Sequence, residues 1–189
     1  MSTVVAYSSQ TGFTKRYAEW IAEELGCDAV SLDDEARFDA GAFDTVVFGG
    51  WFHAAALVGG KWLKRQRAAH PETKFVAFAV GATPAAWTDM VDEGMARAFP
   101  SPEFEGMPRF YLRGGFAYER LSRPNKLAMK MFFKMQAKAA ESDPRAAEML
   151  EGMRGDGFDG TDRAAIAPVV ACARELGAMA ARDAGRFEG

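Results

Sequence analysis

Short runs of consecutive apolar residues alternate along this chain with longer stretches in which apolar residues recur at helical spacing. Continuous apolar runs are typical of parallel strands that are covered on both faces. They predict five strands, at residues 4–7, 29–32, 45–48, 74–80 and 109–112. Polar or glycine-containing clusters follow the first, third and fourth runs and indicate loops there.

The stretches between these runs predict helices. After Thr14, apolar residues recur three or four positions apart, as on the buried face of a helix, and Gly26 follows as a stop signal. The same reasoning predicts helices at residues 14–25, from about 60, at 85–99, at 121–140 and at 161–186. Residues 143–160 are rich in Gly, Asp and Glu, which favours a mobile loop.

The alternation of strands and helices predicts an α/β fold. Right-handed βαβ crossovers give an open parallel sheet with helices on both faces. At this length we expect residues 1–189 to form a single domain. Ligands of such sheets bind at the carboxyl ends of the strands, where the winding reverses. The loops after the first, third and fourth strands are therefore the predicted site.

Composition narrows the class of protein. A hydrophobic fraction of 49% and a net charge of -3 are typical of a soluble globular domain without a basic field, so we expect no nucleic-acid partner. Cys27 and Cys172 fit no metal-ligand spacing and are expected to be reduced and buried. The first residues lack the pattern of a secretory signal, and no apolar run is long enough to span a membrane, which favours a cytoplasmic protein.

The loop after the first strand is Ser8-Ser9-Gln10-Thr11-Gly12-Phe13-Thr14. Hydroxyl side chains surround a glycine just before a helix, where free backbone N–H groups and the helix dipole favour an anion. The loop lacks both the lysine of a nucleoside-triphosphate loop and the glycine spacing of a dinucleotide loop, so a monophosphate fits best. The alternative is that the Ser and Thr residues serve only as helix caps.

The segment from Ser9 to Thr14 has the pattern Ser/Thr-x-Thr-Gly-x-Thr and resembles the phosphate loop of the flavodoxin family. The resemblance implies a flavodoxin-like fold, a doubly wound five-stranded parallel sheet in the order 2-1-3-4-5, with a helical segment added after the fifth strand. It also implies FMN as a non-covalent cofactor. Its phosphate would be held by the hydroxyls of Ser9, Thr11 and Thr14 and by backbone amides of the loop.

The loop after the third strand would flank the flavin ring. Gly50 is followed by Trp51, Phe52 and His53, and two adjacent large aromatic side chains on a loop need an apolar cover such as an isoalloxazine ring. In flavodoxins a glycine-containing peptide here can turn its carbonyl toward the ring, and the peptide between Gly50 and Trp51 matches it. The alternative is that Trp51 and Phe52 pack on the neighbouring helix. We assign His53 no catalytic role.

The loop after the fourth strand contains Gly81, Ala82 and Thr83, which bring backbone close to a planar ligand. Many flavodoxins place an aromatic residue here to stack on the flavin. This chain offers none before Trp87, so one face of the ring would stay open to another molecule.

The predicted helix at 121–140 carries lysines four positions apart and several methionines, a pattern typical of helices that lie on anionic membranes. The alternative is a helix that covers the sheet. Together with Gly115 to Tyr118, this segment resembles the extension of the flavodoxin-like protoporphyrinogen oxidases, which use FMN and a quinone acceptor. That group commonly has an Arg-aromatic-Gly step after the third strand, where this chain has His53-Ala54-Ala55.

These features predict an FMN-dependent oxidoreductase that passes electrons from an organic donor, such as protoporphyrinogen, to a quinone. The protein would supply binding, orientation and electrostatics, without a catalytic acid or base. One alternative is an electron-transfer protein that docks on partner redox enzymes. Another is a binding module that has kept the fold and lost the cofactor.

Overall fold

The strands and helices alternate along the chain as the hydropathy pattern predicts. The computed structural model describes residues 2–33, 38–53, 56–154 and 157–186. Its strands are β1 (Thr3–Tyr7), β2 (Asp28–Ser31), β3 (Thr45–His53), β4 (Ala56–Leu57), β5 (Lys74–Gly81), β6 (Arg109–Arg113), β7 (Gly115–Phe116) and β8 (Phe158–Asp159). Its helices are α1 (Phe13–Leu25), α2 (Gly60–Ala69), α3 (Thr88–Ala98), α4 (Arg123–Ala139), α5 (Pro144–Gly152) and α6 (Ala167–Arg186).

Parallel strands form the main sheet in the order β2-β1-β3-β5-β6, and β4 adds to β3 in the antiparallel direction. In the centre of the sheet Val47 of β3 pairs with Val5 of β1 on one side and with Val76 of β5 on the other. The predicted order 2-1-3-4-5 of the parallel strands is thereby confirmed. The winding reverses between β1 and β3, which makes their carboxyl ends the place for a ligand.

Helices cover both faces of the sheet because alternate residues of a strand point to opposite sides. On one face Val46 belongs to a core that includes Trp62 of α2 and parts of α3. On the other face Val47 belongs to a core that includes Tyr17 of α1 and Val169 of α6. All of these side chains are buried, so the central strands are apolar on both faces, as continuous apolar runs predict.

The third strand is longer than the sequence predicts. It continues through Gly49 and Gly50 to His53, whereas the pattern predicts an end at residue 48. A Cβ on Gly50 would lie 2.6 Å from the carbonyl O of Val58, and a Cβ on Gly49 would overlap the ring of Phe78. These glycines therefore permit close packing within a strand and do not end it.

The chain after β6 contains more regular structure than predicted. The predicted helix at 121–140 is α4, but the predicted loop at 143–160 contains α5 and β8, so the loop prediction is wrong for these residues. The Asp143 side chain accepts a 2.9 Å hydrogen bond from the Arg145 N–H, and Pro144 opens the helix. A capping residue followed by proline starts a helix here despite the loop-like composition.

Smaller differences concern element ends and the cysteines. α3 begins at Thr88 rather than at residue 85, and a short 3-10 turn, Arg163–Ile166, precedes α6. Cys27 and Cys172 are only partly buried at the rim of the core between α1 and α6, and this partial burial raises the pKa of both thiols. Among the described residues, no helix combines the length and apolarity needed to cross a bilayer.

Candidate functional site

The carboxyl ends of β1, β3 and β5 lie side by side at one edge of the sheet, which we call the carboxyl edge. Tyr7 at the end of β1 pairs with Gly49 of β3, and Trp51 of β3 pairs with Val80 of β5. The strand order therefore brings together the loop after β1, the end of β3 and the loop after β5. These are the segments that the sequence predicts as a binding site.

The loop after β1, residues 8–12, is held at both ends by hydrogen bonds. The Ser8 N–H donates to the carbonyl O of Gly49 at 2.9 Å, and the Gly12 N–H donates to the Ser9 hydroxyl at 3.2 Å. Gly12 has a φ of +96°, in the left-handed region that only glycine adopts at little cost. This glycine turns the chain directly from the loop into α1.

The N-terminus of α1 has no side-chain cap, because Gly12 occupies the capping position. Within the described ranges, no group accepts a hydrogen bond from the backbone N–H of Phe13, Thr14 or Lys15. Phe13 and Thr14 are buried at the start of the helix, so this end cannot splay away from the sheet. The free N–H groups and the helix dipole favour an anion beside the loop.

The N-terminus of α2 lies beside the same loop and is built in the same way. Its capping position is Gly59, with a φ of +83° and no side-chain cap. The hydroxyl O of Ser8 lies 3.1 Å from the position that a Cβ of Gly59 would occupy. Two uncapped helix ends thus flank a loop that carries hydroxyl groups and no acidic side chain. This set of donors fits a phosphate monoester.

Arg120 and Asn125 also reach the loop after β1, although they lie more than a hundred residues further along the chain. Arg120 Nη1 donates to the carbonyl O of Thr11 at 3.1 Å, and Asn125 Nδ2 donates to Gln10 Oε1 at 2.8 Å. The sequence did not predict a role for either residue. No local signal could have found them, since only the docking of the chain around the start of α4 places them here.

The end of β3 is a β-hairpin rather than the predicted loop. Phe52 pairs with Leu57 of β4, and the Val58 N–H donates to the carbonyl O of Trp51 at 3.0 Å. Trp51 is partly buried against the core between α1 and α6, and its ring lies edge-on to the exposed His53 ring at 5.4 Å. Residues 54 and 55, which follow His53 where the compared group has its Arg-aromatic-Gly step, lie outside the described residues.

Phe52 points to the opposite face of the sheet from Trp51. The Phe52 ring centroid lies 6.2 Å from that of Tyr111 in β6. A Cβ on Gly94 of α3 would lie 3.8 Å from the Cζ atom of Phe52. Phe52 therefore packs between the sheet and α3, as the alternative interpretation of this segment holds. Trp51 lies on the face of the sheet that α1 and α6 cover.

The loop after β5 is anchored by Tyr111. The Tyr111 hydroxyl donates to the carbonyl O of Thr83 at 2.7 Å, and burial raises the pKa of this phenol. The Gly114 N–H donates to the carbonyl O of Gly81 at 2.7 Å, and a Cβ on Gly81 would lie 2.9 Å from the Tyr111 ring. These two hydrogen bonds fix the backbone of Gly81, Ala82 and Thr83 at the carboxyl edge. None of these three residues carries an aromatic side chain that could stack on a flavin.

A pocket of about 460 Å³ lies beside the start of α1. Its wall includes aromatic side chains of Phe13, Phe116 and Phe158, and Arg120 lines it as well. Arg120 therefore contacts both this pocket and the loop after β1.

The doubly wound sheet, with an uncharged cradle of amides and hydroxyls at its carboxyl edge, defines a flavodoxin-like α/β protein. The chain belongs to the flavodoxin domain family, whose sequence model matches residues 4–143. The match confirms the resemblance to the flavodoxin family that the sequence of the loop after β1 predicted. The comparisons do not connect the chain with the protoporphyrinogen oxidase group.

Solved structures with a related fold include oxidised Flavodoxin 1 from Bacillus cereus, with 13% identity, a TM-score of 0.40 and coverage of 60% of this chain and 84% of that one. A flavoprotein from Lactobacillus acidophilus in complex with FMN has 16% identity, a TM-score of 0.39 and coverage of 59% and 92%. A flavodoxin from the domain Archaea has 17% identity, a TM-score of 0.38 and coverage of 60% and 85%. None of the curated proteins matches the chain significantly.

Proposed function

We propose that this chain binds FMN non-covalently at the carboxyl edge of the sheet and works as a redox flavoprotein. The observation that carries the proposal is the uncapped start of α1 behind the loop of residues 8–12, in a chain of the flavodoxin domain family. An FMN phosphate carries close to two negative charges at pH 7. Free amides, hydroxyls and two helix dipoles can bind such a group without an acidic neighbour to repel it.

Two groups of residues would hold the cofactor. The phosphate group is assigned to Ser8, Ser9, Gln10, Thr11, Gly12, Phe13 and Thr14. The ring is assigned to Gly50, Trp51, Phe52, His53, Gly81, Ala82 and Thr83. Within the second group the side chain of Phe52 packs into the core, so it would support the site from behind.

When bound, FMN supplies hydride or single-electron transfer. The residues of the chain bind and orient it. Trp51 offers an aromatic surface at the end of β3. The hydrogen bond from the Tyr111 hydroxyl to the carbonyl O of Thr83 holds the loop after β5 in place. His53 is exposed and lies edge-on to the Trp51 ring, and we assign it no proton transfer.

Absorption spectroscopy of the purified protein tests the cofactor assignment. After FMN is added and the excess is dialysed away, we expect retained flavin bands and quenched or shifted flavin fluorescence. A colourless protein that leaves the fluorescence of FMN unchanged during a titration would overturn the proposal. It would then favour a binding module that has kept the fold without the cofactor.

We further propose that the electron acceptor is a lipid-soluble molecule such as a quinone, reached at an anionic membrane surface through α4. Leu127, Met131 and Met135 lie four positions apart on this helix and are 65%, 67% and 70% exposed. Exposed lysines lie on the adjacent arc at Lys130, Lys134 and Lys138. An exposed apolar row beside a basic row is complementary to anionic lipid.

Vesicle sedimentation tests this surface. The protein should bind vesicles that contain anionic lipid and should not bind neutral vesicles. The triple variant K130Q/K134Q/K138Q should lose this binding, while K15Q/K61Q/R97Q, which removes as much charge from other helices, should keep it. Equal behaviour of the two variants, or no binding by the natural chain, would favour the alternative of a carrier that docks on a redox partner protein.

A further inference from the structure

The guanidinium of Arg120 lies against the turn into α1. Its Nη1 atom donates to the carbonyl O of Thr11 and lies 3.7 Å from the position that a Cβ of Gly12 would occupy. Gly12 is the capping residue of α1, so the positive charge stands at the helix end where the free N–H groups lie. One contact to Thr11 leaves most of the five guanidinium donors for another acceptor.

Three other cations close to this end of α1 are paired with carboxylates. Lys15 pairs with Glu19 at 3.7 Å, and Arg16 forms an ion pair with Asp159. Lys126 at the start of α4 pairs with Glu119 at 2.9 Å. Arg120 differs from them, because within the part of the chain that the structure describes it has no carboxylate partner.

The position of Arg120 is fixed by its surroundings as well as by its own contact. Asn125, five residues further on, donates to the Gln10 side chain at 2.8 Å. Two hydrogen bonds therefore tie this segment to the adjacent residues Gln10 and Thr11 of the loop. Tyr118 on the preceding turn packs on Phe133 of α4, with ring centroids 6.5 Å apart. Contacts on both sides of Arg120, at Tyr118 and at Asn125, therefore hold its guanidinium against the loop.

We infer that Arg120 is the residue that makes this site select a phosphorylated flavin. The inference rests on the proposed function, and it adds a fixed charge to a cradle that otherwise offers only neutral donors. Arginine suits the task because its planar fork can donate two parallel hydrogen bonds to phosphate oxygens. Riboflavin, which lacks the phosphate, would gain nothing from it.

Fluorescence titration of the full chain with FMN and with riboflavin tests the inference. Arg120→Gln should weaken FMN binding by about tenfold or more, the effect of one hydrogen bond to a charged group, and leave riboflavin affinity unchanged. Arg120→Lys should restore part of the FMN affinity because it keeps the charge. Arg97→Gln removes the same charge from an exposed position of α3 and should leave both affinities unchanged.

The salt dependence of FMN binding gives a second readout. Affinity of the natural chain should fall as salt is raised, and the fall should be smaller for Arg120→Gln. If Arg120→Gln weakens the binding of FMN and of riboflavin equally, Arg120 has a structural role and the inference is overturned. Unchanged FMN affinity would also overturn it. Failure of the natural chain to bind FMN at all would instead overturn the proposed function, so the two failures are distinguishable.

Discussion

Single residues at the carboxyl edge show that glycine has two different roles there. Gly12 and Gly59 adopt positive φ values and leave two helix ends without side-chain caps. Gly49 and Gly50 lie in regular strand and are small because neighbouring groups occupy the space of a Cβ. A local pattern treats both kinds as loop signals, and only the first kind is one.

The threonines of the loop offer a direct test at this scale. Thr11→Ala combined with Thr14→Ala should weaken FMN binding, because each hydroxyl lost removes a hydrogen bond to a charged group worth about 1.5–3 kcal/mol. Flavin fluorescence titration measures the change. Thr88→Ala, at the exposed start of α3, is the matched control and should bind FMN like the natural chain. Unchanged affinity of the double variant would refute the assignment of the phosphate to this loop.

Among the elements, β3 and α4 depart most from simple periodicity. β3 carries its strand geometry through two glycines because β5 pairs with both of them and β1 pairs with Gly49 from the other side. In α4 the aromatic side chain of Phe133 lies 5.9 Å from that of Phe116, while the methionine side is exposed. The apolar residues of α4 are thus divided between an inner and an outer face.

Gly49→Ala tests the packing of β3. The added methyl group would overlap the Phe78 ring in a buried core, so we expect the free energy of unfolding to fall by about 1–3 kcal/mol. Denaturant unfolding measures it. Gly152→Ala in α5 is the control, since no atom lies within 4 Å of its Cβ position, and its stability should be unchanged or slightly higher. Equal stability of the two variants would show that the Phe78 ring yields without cost.

In the molecule as a whole, contacts between distant parts of the chain close the fold around α1. Arg16 forms an ion pair with Asp159, and its Nη1 donates to the Thr161 hydroxyl at 2.8 Å. The Tyr17 hydroxyl donates to the carbonyl O of Arg113 at 2.7 Å and accepts from the Asp162 N–H at 3.0 Å. We propose on this basis that residues 1–189 unfold as one cooperative domain.

The Arg16–Asp159 ion pair makes the stability of the whole fold depend on pH. Partial burial opposes the charge on Asp159, but hydrogen bonds from Thr161 and Arg16 outweigh it and lower its pKa to about 2. The unfolded value is about 3.9. Because the folded pKa is the lower one, the carboxylate stabilises the fold above about pH 4 and loses this contribution as the pH falls toward 2.

Asp159→Asn should therefore be less stable than the natural chain at pH 7. The difference is expected to be about 0.5–1 kcal/mol, since the pair is about half exposed and screened by solvent. It should shrink steadily between pH 5 and pH 2 in thermal or denaturant unfolding. Asp92→Asn, at an exposed position of α3, is the control. A difference that stays constant with pH would show that the pair contributes through packing instead.

Much of the fold could be predicted because strands and helices leave local signals. The apolar runs at 45–48 and 74–80 lie inside β3 and β5, and the helical spacing after Thr14 corresponds to α1. The loop of residues 8–12 could be found because a strand, hydroxyl residues and a glycine stand next to one another. The start of α5 at Asp143 and Pro144 was missed because the composition of residues 143–160 favoured a loop.

The sequence by itself determined the order of the five parallel strands, the helices between them and the loop after β1, since each depends on residues a few positions apart. Only the tertiary structure decided that β3 passes through its glycines, that Phe52 faces the core and that Arg120 stands at Thr11. The physical reason is that these features depend on which surfaces meet. Pairing, steric exclusion and long-range hydrogen bonds arise only when segments far apart in the chain are packed together.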